Sequence, residues 1–126
     1  MTKLEIKETK SAPSVLLDIE SGRFEIRGNS FLDNAHEFFV PVLNWMKEYE
    51  KNPLPETKVL FDLTYINTSS QRMVFDFLKL LNNMHKAGHK VLVEWLYDEN
   101  DEDLRDVGND LLSFMDFPFK VLVKVS

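Results

Sequence analysis

The chain of 126 residues contains no cysteine. Disulfides, zinc–cysteine sites and thiol nucleophiles are therefore excluded, and the absence suits a reducing compartment. Glycine is scarce too, with Gly22, Gly28, Gly88 and Gly108 scattered far apart. No glycine-rich phosphate loop can be built from them. Long hydrophobic runs are missing, since nothing approaches the roughly 20 apolar residues that span a bilayer. The opening MTKLEIKETK has no apolar core of the signal-peptide kind. A cytoplasmic location without membrane insertion is the expectation. Positive charge is in deficit, 15 Lys and Arg against 21 Asp and Glu, for a net charge of -6. Sequence-independent nucleic-acid binding needs clustered cations near phosphates, so no nucleic-acid partner is expected.

What is present is an ordinary globular composition, 44% hydrophobic and 29% charged. The length predicts a single domain over residues 1–126, with enough buried surface for a core without staples. Leu4 to Glu8 alternates like an edge strand. Ser14 to Ile19 and Arg23 to Arg27 flank Glu20-Ser21-Gly22 and predict an antiparallel hairpin ended by Gly28. Ala35, Phe38, Phe39, Val42, Leu43, Met46 and Tyr49 follow at helical spacing after Asp33 and Asn34. Pro41, lacking an amide donor, predicts a kink or restart in that helix.

Lys58 to Leu63 reads as a strand covered on both faces. Ser69 to Ala87 carries Met73, Val74, Phe77, Leu80, Leu81 and Met84 on one stripe, and Gly88 is placed to close that helix. Lys90 to Tyr97 is a further strand and Asn100 to Met115 a third helix, with Leu104, Val107, Leu111 and Met115 inward. Phe117 to Val125 is the last strand, with Phe119, Val121, Val123 and Val125 on one face. Three strands followed by three helix–strand pairs predict an α/β fold, a mixed, mostly parallel sheet of about six strands with helical crossovers.

Catalytic and metal chemistry find little support. His85 and His89 are four apart, but Gly88 between them breaks the helical face that paired ligation needs. The acidic run Asp98-Glu99-Asn100-Asp101-Glu102-Asp103 invites a calcium loop. An EF-hand counted from Asp98 would place Asp103 where Gly must make the turn and Asn109 where a bidentate Glu must close the site. Those acids fit the first turn of the third helix, where the dipole favours them, or a docking surface for a basic partner. No G-x-S-x-G nucleophile elbow occurs. Neither a cofactor nor a metal is expected, and the chain does not read as an enzyme.

The stretch YINTSSQ, Tyr65 to Gln71, is the most informative. Thr68-Ser69-Ser70-Gln71 fits a capping box, with Thr68 as helix N-cap and Gln71 reaching back to the cap amide. The turn also lies at the carboxyl end of a central strand, where open α/β sheets place functional groups. A phosphate on Thr68 would sit at a helix N-terminus, where amides and dipole favour an anion.

Together with SGRFEIRGNSF (Ser21 to Phe31), NAHEFFVPVLNW (Asn34 to Trp45) and VEWLYDENDEDLRDVG (Val93 to Gly108), the YINTSS stretch resembles the SiaC family of bacterial regulatory phosphoproteins. The likeness covers nearly the whole chain in order. It implies a fold like that of STAS anti-sigma-factor antagonists and a regulatory, non-enzymatic role. It implies phosphorylation of Thr68 by a kinase of the HATPase type and dephosphorylation by a PP2C-type phosphatase. The unphosphorylated form would bind and stimulate an effector, a diguanylate cyclase, raising cyclic di-GMP and favouring aggregation or biofilm. Asn67, Ser69, Ser70 and Gln71 are then the surround of the phosphosite. Tyr65, Arg72, Asp98, Asp101, Glu102 and Asp103 are candidate docking residues. Two rival expectations stand beside it: a constitutive interaction module in which Thr68 is only an N-cap, and a small hydrolase or ion-binding protein using the acidic run.

Overall fold

The structure is a computed structural model and describes residues 1–124. The elements follow the predicted order: β1 (Leu4–Ile6), β2 (Ser14–Asp18), β3 (Arg23–Ser30), α1 (Ala35–Tyr49), β4 (Glu56–Ile66), α2 (Thr68–Lys86), β5 (Lys90–Asp98), α3 (Glu102–Leu112) and β6 (Phe119–Lys124). The strands form one six-stranded sheet in strictly sequential order. β1, β2 and β3 pair antiparallel, and β3 through β6 pair parallel. The predicted hairpin is present. Asp18 Oδ1 accepts from Glu20 N at 3.2 Å and Oδ2 accepts from Ser21 Oγ at 2.8 Å, tightening its turn.

Sequential order decides where the helices go. Three right-handed crossovers made in one direction put every helix on the same side of the sheet. Val59, Phe61 and Leu63 of β4 are buried, as are Val91, Val93 and Trp95 of β5, all in one cluster with the inward residues of the three helices. The alternate residues Leu60, Asp62, Leu92, Glu94 and Leu96 are only half-buried. They share their face with a charge ladder: Arg27 meets Glu25 at 3.0 Å and Asp62 at 2.7 Å, Lys124 meets Asp62 at 2.8 Å, and Lys58 meets Glu94 at 3.1 Å. The expectation that β4 is covered on both faces is therefore corrected. One face is helical and the other carries charge.

Other boundaries shift for local reasons. Gly28 does not end β3, which runs on to Ser30 because parallel pairing with β4 continues beyond it. Pro41 neither breaks nor restarts α1, a continuous helix of 15 residues. Glu37, whose carbonyl loses its amide partner to the proline, is exposed, so water can take that bond. Leu78 joins the buried stripe of α2 while Leu80 stays half-buried. α3 is shorter than expected, because Asp101 caps it and Ser113 ends it, although Met115 remains buried past the helix. Val125, expected to share one face of the last strand with Phe119, Val121 and Val123, lies outside the described residues.

Gly88 closes α2 as its position predicts. Its φ of 97° is in the left-handed region. Gly88 N donates to His85 O at 3.0 Å and His89 N to Met84 O at 3.1 Å, the Schellman pair of bonds.

Candidate functional site

The loops that follow β3, β4 and β5 all emerge at the carboxyl edge of the parallel strands. β4 reaches this edge through a bulge: Leu63 pairs with Gly28 and Tyr65 with Asn29, leaving Thr64 as the extra residue. A bulge re-aims the side chains that follow it. Here Leu63 and Ile66 both point into the core and Tyr65 is turned outward. Because the strand order never reverses, there is no switch-point crevice. The site is built between helix N-termini instead.

The turn into α2 corrects the predicted cap. Asn67, not Thr68, is the N-cap, with φ -81° and ψ 170°. Its Oδ1 accepts from Ser70 N at 3.0 Å, and its Nδ2 donates to Leu32 O at 2.9 Å. Asn67 N also donates to Ser30 O at 2.9 Å. Asparagine offers both an acceptor and a donor, so it can cap α2 and grip the β3–α1 loop together. A threonine hydroxyl is too short for both. Gln71 follows the shift: its Nε2 reaches Ile66 O at 3.4 Å rather than the amide of the cap.

The three hydroxyls of the turn are thereby sorted. Ser70 is fully buried, and its Oγ accepts from Ser30 Oγ at 2.8 Å. Ser69 is exposed, but its hydroxyl lies within reach of Asn67 Oδ1 at 3.3 Å and Leu32 O at 3.4 Å. Thr68 is the first residue of α2, is exposed, and its hydroxyl bonds to no other described residue. Of the three, it is the hydroxyl that is both exposed and unbonded among the described residues.

Thr68 lines an open cleft of about 680 Å³ together with Asp33, Asn34, Ala35, His36, Ser69 and Arg72. The N-termini of α1 and α2 thus lie side by side. Their electrostatics differ. α1 carries Glu37 in its first turn and α3 carries Glu102 and Asp103, whereas α2 carries no acidic residue there. The positive end of the α2 dipole is left without a carboxylate of its own. Beside the turn, Phe31 and Tyr65 are 57% and 47% exposed with ring centroids 5.5 Å apart. Paired, exposed aromatics of this kind are favoured as anchors in protein interfaces. Phe31 belongs to this surface, and sequence reasoning missed it. The only signal was an aromatic residue in a polar loop next to a turn.

The acidic candidates separate from this group. Asp98 Oδ1 accepts from Asn100 N at 3.0 Å, and Asp101 Oδ1 caps α3 through Leu104 N at 3.0 Å. Glu99, Asn100, Asp101, Glu102 and Asp103 line a shallow depression of their own that does not include Thr68. Thr68, Ser69 and Arg72 are thus brought together, whereas Asp101, Glu102 and Asp103 gather elsewhere. His85 and His89 line a depression with Glu56 and Lys90, residues that begin β4 and β5 and so lie at the opposite edge of the sheet. Among the described residues, no three His, Asp or Glu side chains are placed to hold a metal ion. No helix among them is long and apolar enough to cross a membrane.

Comparison with known proteins finds relatives that share this fold. A family profile described as "SiaC family regulatory phosphoprotein" matches residues 6–124. An uncharacterized protein of Pseudomonas aeruginosa (strain UCBPP-PA14) is 30% identical over 121 residues, covering 96% of each chain. The solved structure of SiaC of Pseudomonas aeruginosa superposes with a TM-score of 0.89 at 29% identity, over 98% of this chain and 100% of that one. A third match, also with a TM-score of 0.89 and 29% identity, covers 96% of this chain and 99% of its counterpart. It comes from a crystal structure of the diguanylate cyclase SiaD in complex with its activator SiaC, also from Pseudomonas aeruginosa.

Proposed function

This chain belongs to the SiaC family of regulatory phosphoproteins, and on that footing we propose that Thr68 is its phosphorylation site and the pivot of a partner switch. The observation that carries the reading is the sorting of hydroxyls at the α2 turn. Ser70 is buried against Ser30, Ser69 leans on the β3–α1 loop, and Thr68 alone of the three stands clear. A kinase of the HATPase type transfers the γ-phosphoryl group of ATP to the Thr68 oxygen, releasing ADP and the hydroxyl proton. A PP2C-type phosphatase returns the hydroxyl by hydrolysis, releasing inorganic phosphate.

Unmodified, the protein docks an effector on the surface around Thr68, with Phe31 and Tyr65 as the apolar anchor and Arg72 as a cationic contact. The effector we propose is a diguanylate cyclase, stimulated on binding, because a similar protein is an activator in complex with one. Cyclic di-GMP then rises, and aggregation or biofilm follows. Phosphorylation adds a charge of about -1.5 to -2 at the surface. An apolar anchor beside a strongly hydrated dianion docks poorly, and acidic groups on the effector are repelled. The core is untouched, because the exposed threonine contributes little to it. The role is carried out in the cytoplasm and needs no cofactor.

The test uses the diguanylate cyclases of the same organism, purified and mixed with this protein unmodified or carrying phosphothreonine at position 68. The unmodified protein binds one of them and raises its activity, and the phosphoprotein binds it at least about tenfold more weakly, a difference of about 1.4 kcal/mol. Equal binding of both forms would contradict the switch.

A further inference from the structure

The chain has four arginines, and three are engaged in ion pairs. Arg23 meets Glu25 at 3.0 Å, Arg27 meets Glu25 and Asp62, and Arg105 meets Asp106 at 3.3 Å. Arg72 is exposed and makes no ion pair or side-chain hydrogen bond with any other described residue. It lies four residues after Thr68 on α2, the spacing at which helical side chains become neighbours. The two line the same cleft. In a protein of net charge -6, an unpaired guanidinium beside an unbonded hydroxyl is a specific juxtaposition.

We propose that Arg72 is the intramolecular receiver of the phosphate on Thr68. It closes on the dianion from the second turn of α2 while the carboxylate-free first turn holds it from below. A guanidinium presents its donors as a planar fork that matches two phosphate oxygens. Asn67 Oδ1 already takes the Ser70 amide, so the helix end alone supplies an incomplete set of donors, and Arg72 completes it. This deepens the reading of Thr68 as a switch and rests on it. Phosphorylation then does two things: it adds charge to the docking surface, and it withdraws from any carboxylate that a partner offers the one arginine unpaired among the described residues. The off state is held by a bond within the chain, not only by repulsion.

The experiment installs phosphothreonine at position 68 by genetic encoding, in the full chain and without any kinase. The second ionisation of the phosphate is then followed by phosphorus-31 NMR as pH is raised. Asp33 and His36 also line the cleft. They are common to every variant, so the comparison isolates Arg72. The phosphate of the parent protein is expected to lose its second proton about half a pH unit lower than in Arg72→Ala, with Arg72→Lys in between. Arg72 is exposed and alanine favours helix, so Arg72→Ala folds. Identical titrations for parent and Arg72→Ala would overturn the proposal and leave the Thr68 switch standing. Failure of the switch itself shows separately, as equal partner binding by the phosphorylated and unphosphorylated parent proteins.

Discussion

Ser30 and Ser70 share a hydrogen bond of 2.8 Å with both hydroxyls inside the protein. It joins the last residue of β3 to the first turn of α2, directly behind the turn that presents Thr68. Buried polar pairs of this kind fix geometry, because either partner left alone keeps its desolvation cost.

Replacing Ser70 with Ala is expected to destabilise the fold by about 1–3 kcal/mol. Ser70→Glu, which forces a carboxylate into the same space, should cost more than that or prevent folding. Thr68→Glu should stay within about 0.5 kcal/mol of the parent. Urea unfolding midpoints of the three variants check the order.

The capping assignment makes a second prediction. Asn67→Ala loses the bond to the Ser70 amide and the bond to Leu32 O, and is expected to cost about 1–2 kcal/mol. Thr68→Ala is expected to be nearly neutral in stability while losing the modification. If thermal denaturation found Thr68→Ala to be the more costly of the two, the cap would belong to Thr68 after all.

Gly108→Ala should run against the usual helix preference. Alanine in place of glycine ordinarily stabilises a helix by up to about 1 kcal/mol. A Cβ at position 108 would stand 2.5 Å from Trp95 Cδ1 and 2.6 Å from its Nε1. Trp95 cannot yield easily, being fully buried with Nε1 donating to Leu104 O at 3.1 Å. α3 must therefore lift from the sheet, and a loss of about 1–3 kcal/mol is expected in denaturant titration.

Acid stability depends in part on the open face of the sheet. The hydrogen bond from Arg23, and then Arg27, holds the Glu25 carboxyl below its ordinary value of 4.5, against a partial opposing effect of burial. A depressed carboxyl contributes stability that is fully present above the unfolded value and fades as pH falls through the folded one. Glu25→Gln should therefore lower stability near neutral pH and flatten the loss below about pH 4.5. Melting temperature against pH for both proteins measures it.

The order of elements was legible because buried stripes repeat with the periods of helix and strand. Gly88 could be read as a helix stop from its position alone. The turn of YINTSSQ was legible as the place where α2 begins, but not the residue that caps it. Asn67 and Thr68 are both good caps, and N-T-S-S and T-S-S-Q offer overlapping registers. The choice is made by Leu32 O and Ser30 O, partners more than 30 residues away in the chain. Coverage of β4 on one face was hidden for a similar reason. Leu60 is apolar like its neighbours, and only the one-directional crossovers leave its side of the sheet without helices. Phe31 was invisible as a site residue because exposure beside Tyr65 depends on a bulge that no local pattern announces.

The most direct measurement is peptide mass spectrometry on the protein taken from its own cells, grown attached and free-swimming. Trypsin releases Val59 to Arg72 as one peptide, which holds Thr64, Thr68, Ser69 and Ser70 together. The expected result is a phosphate on Thr68, absent from Ser69 and Ser70, with an occupancy that changes between the two modes of growth. A well-covered peptide unmodified in both, or one phosphorylated on Ser69 instead, would contradict the account.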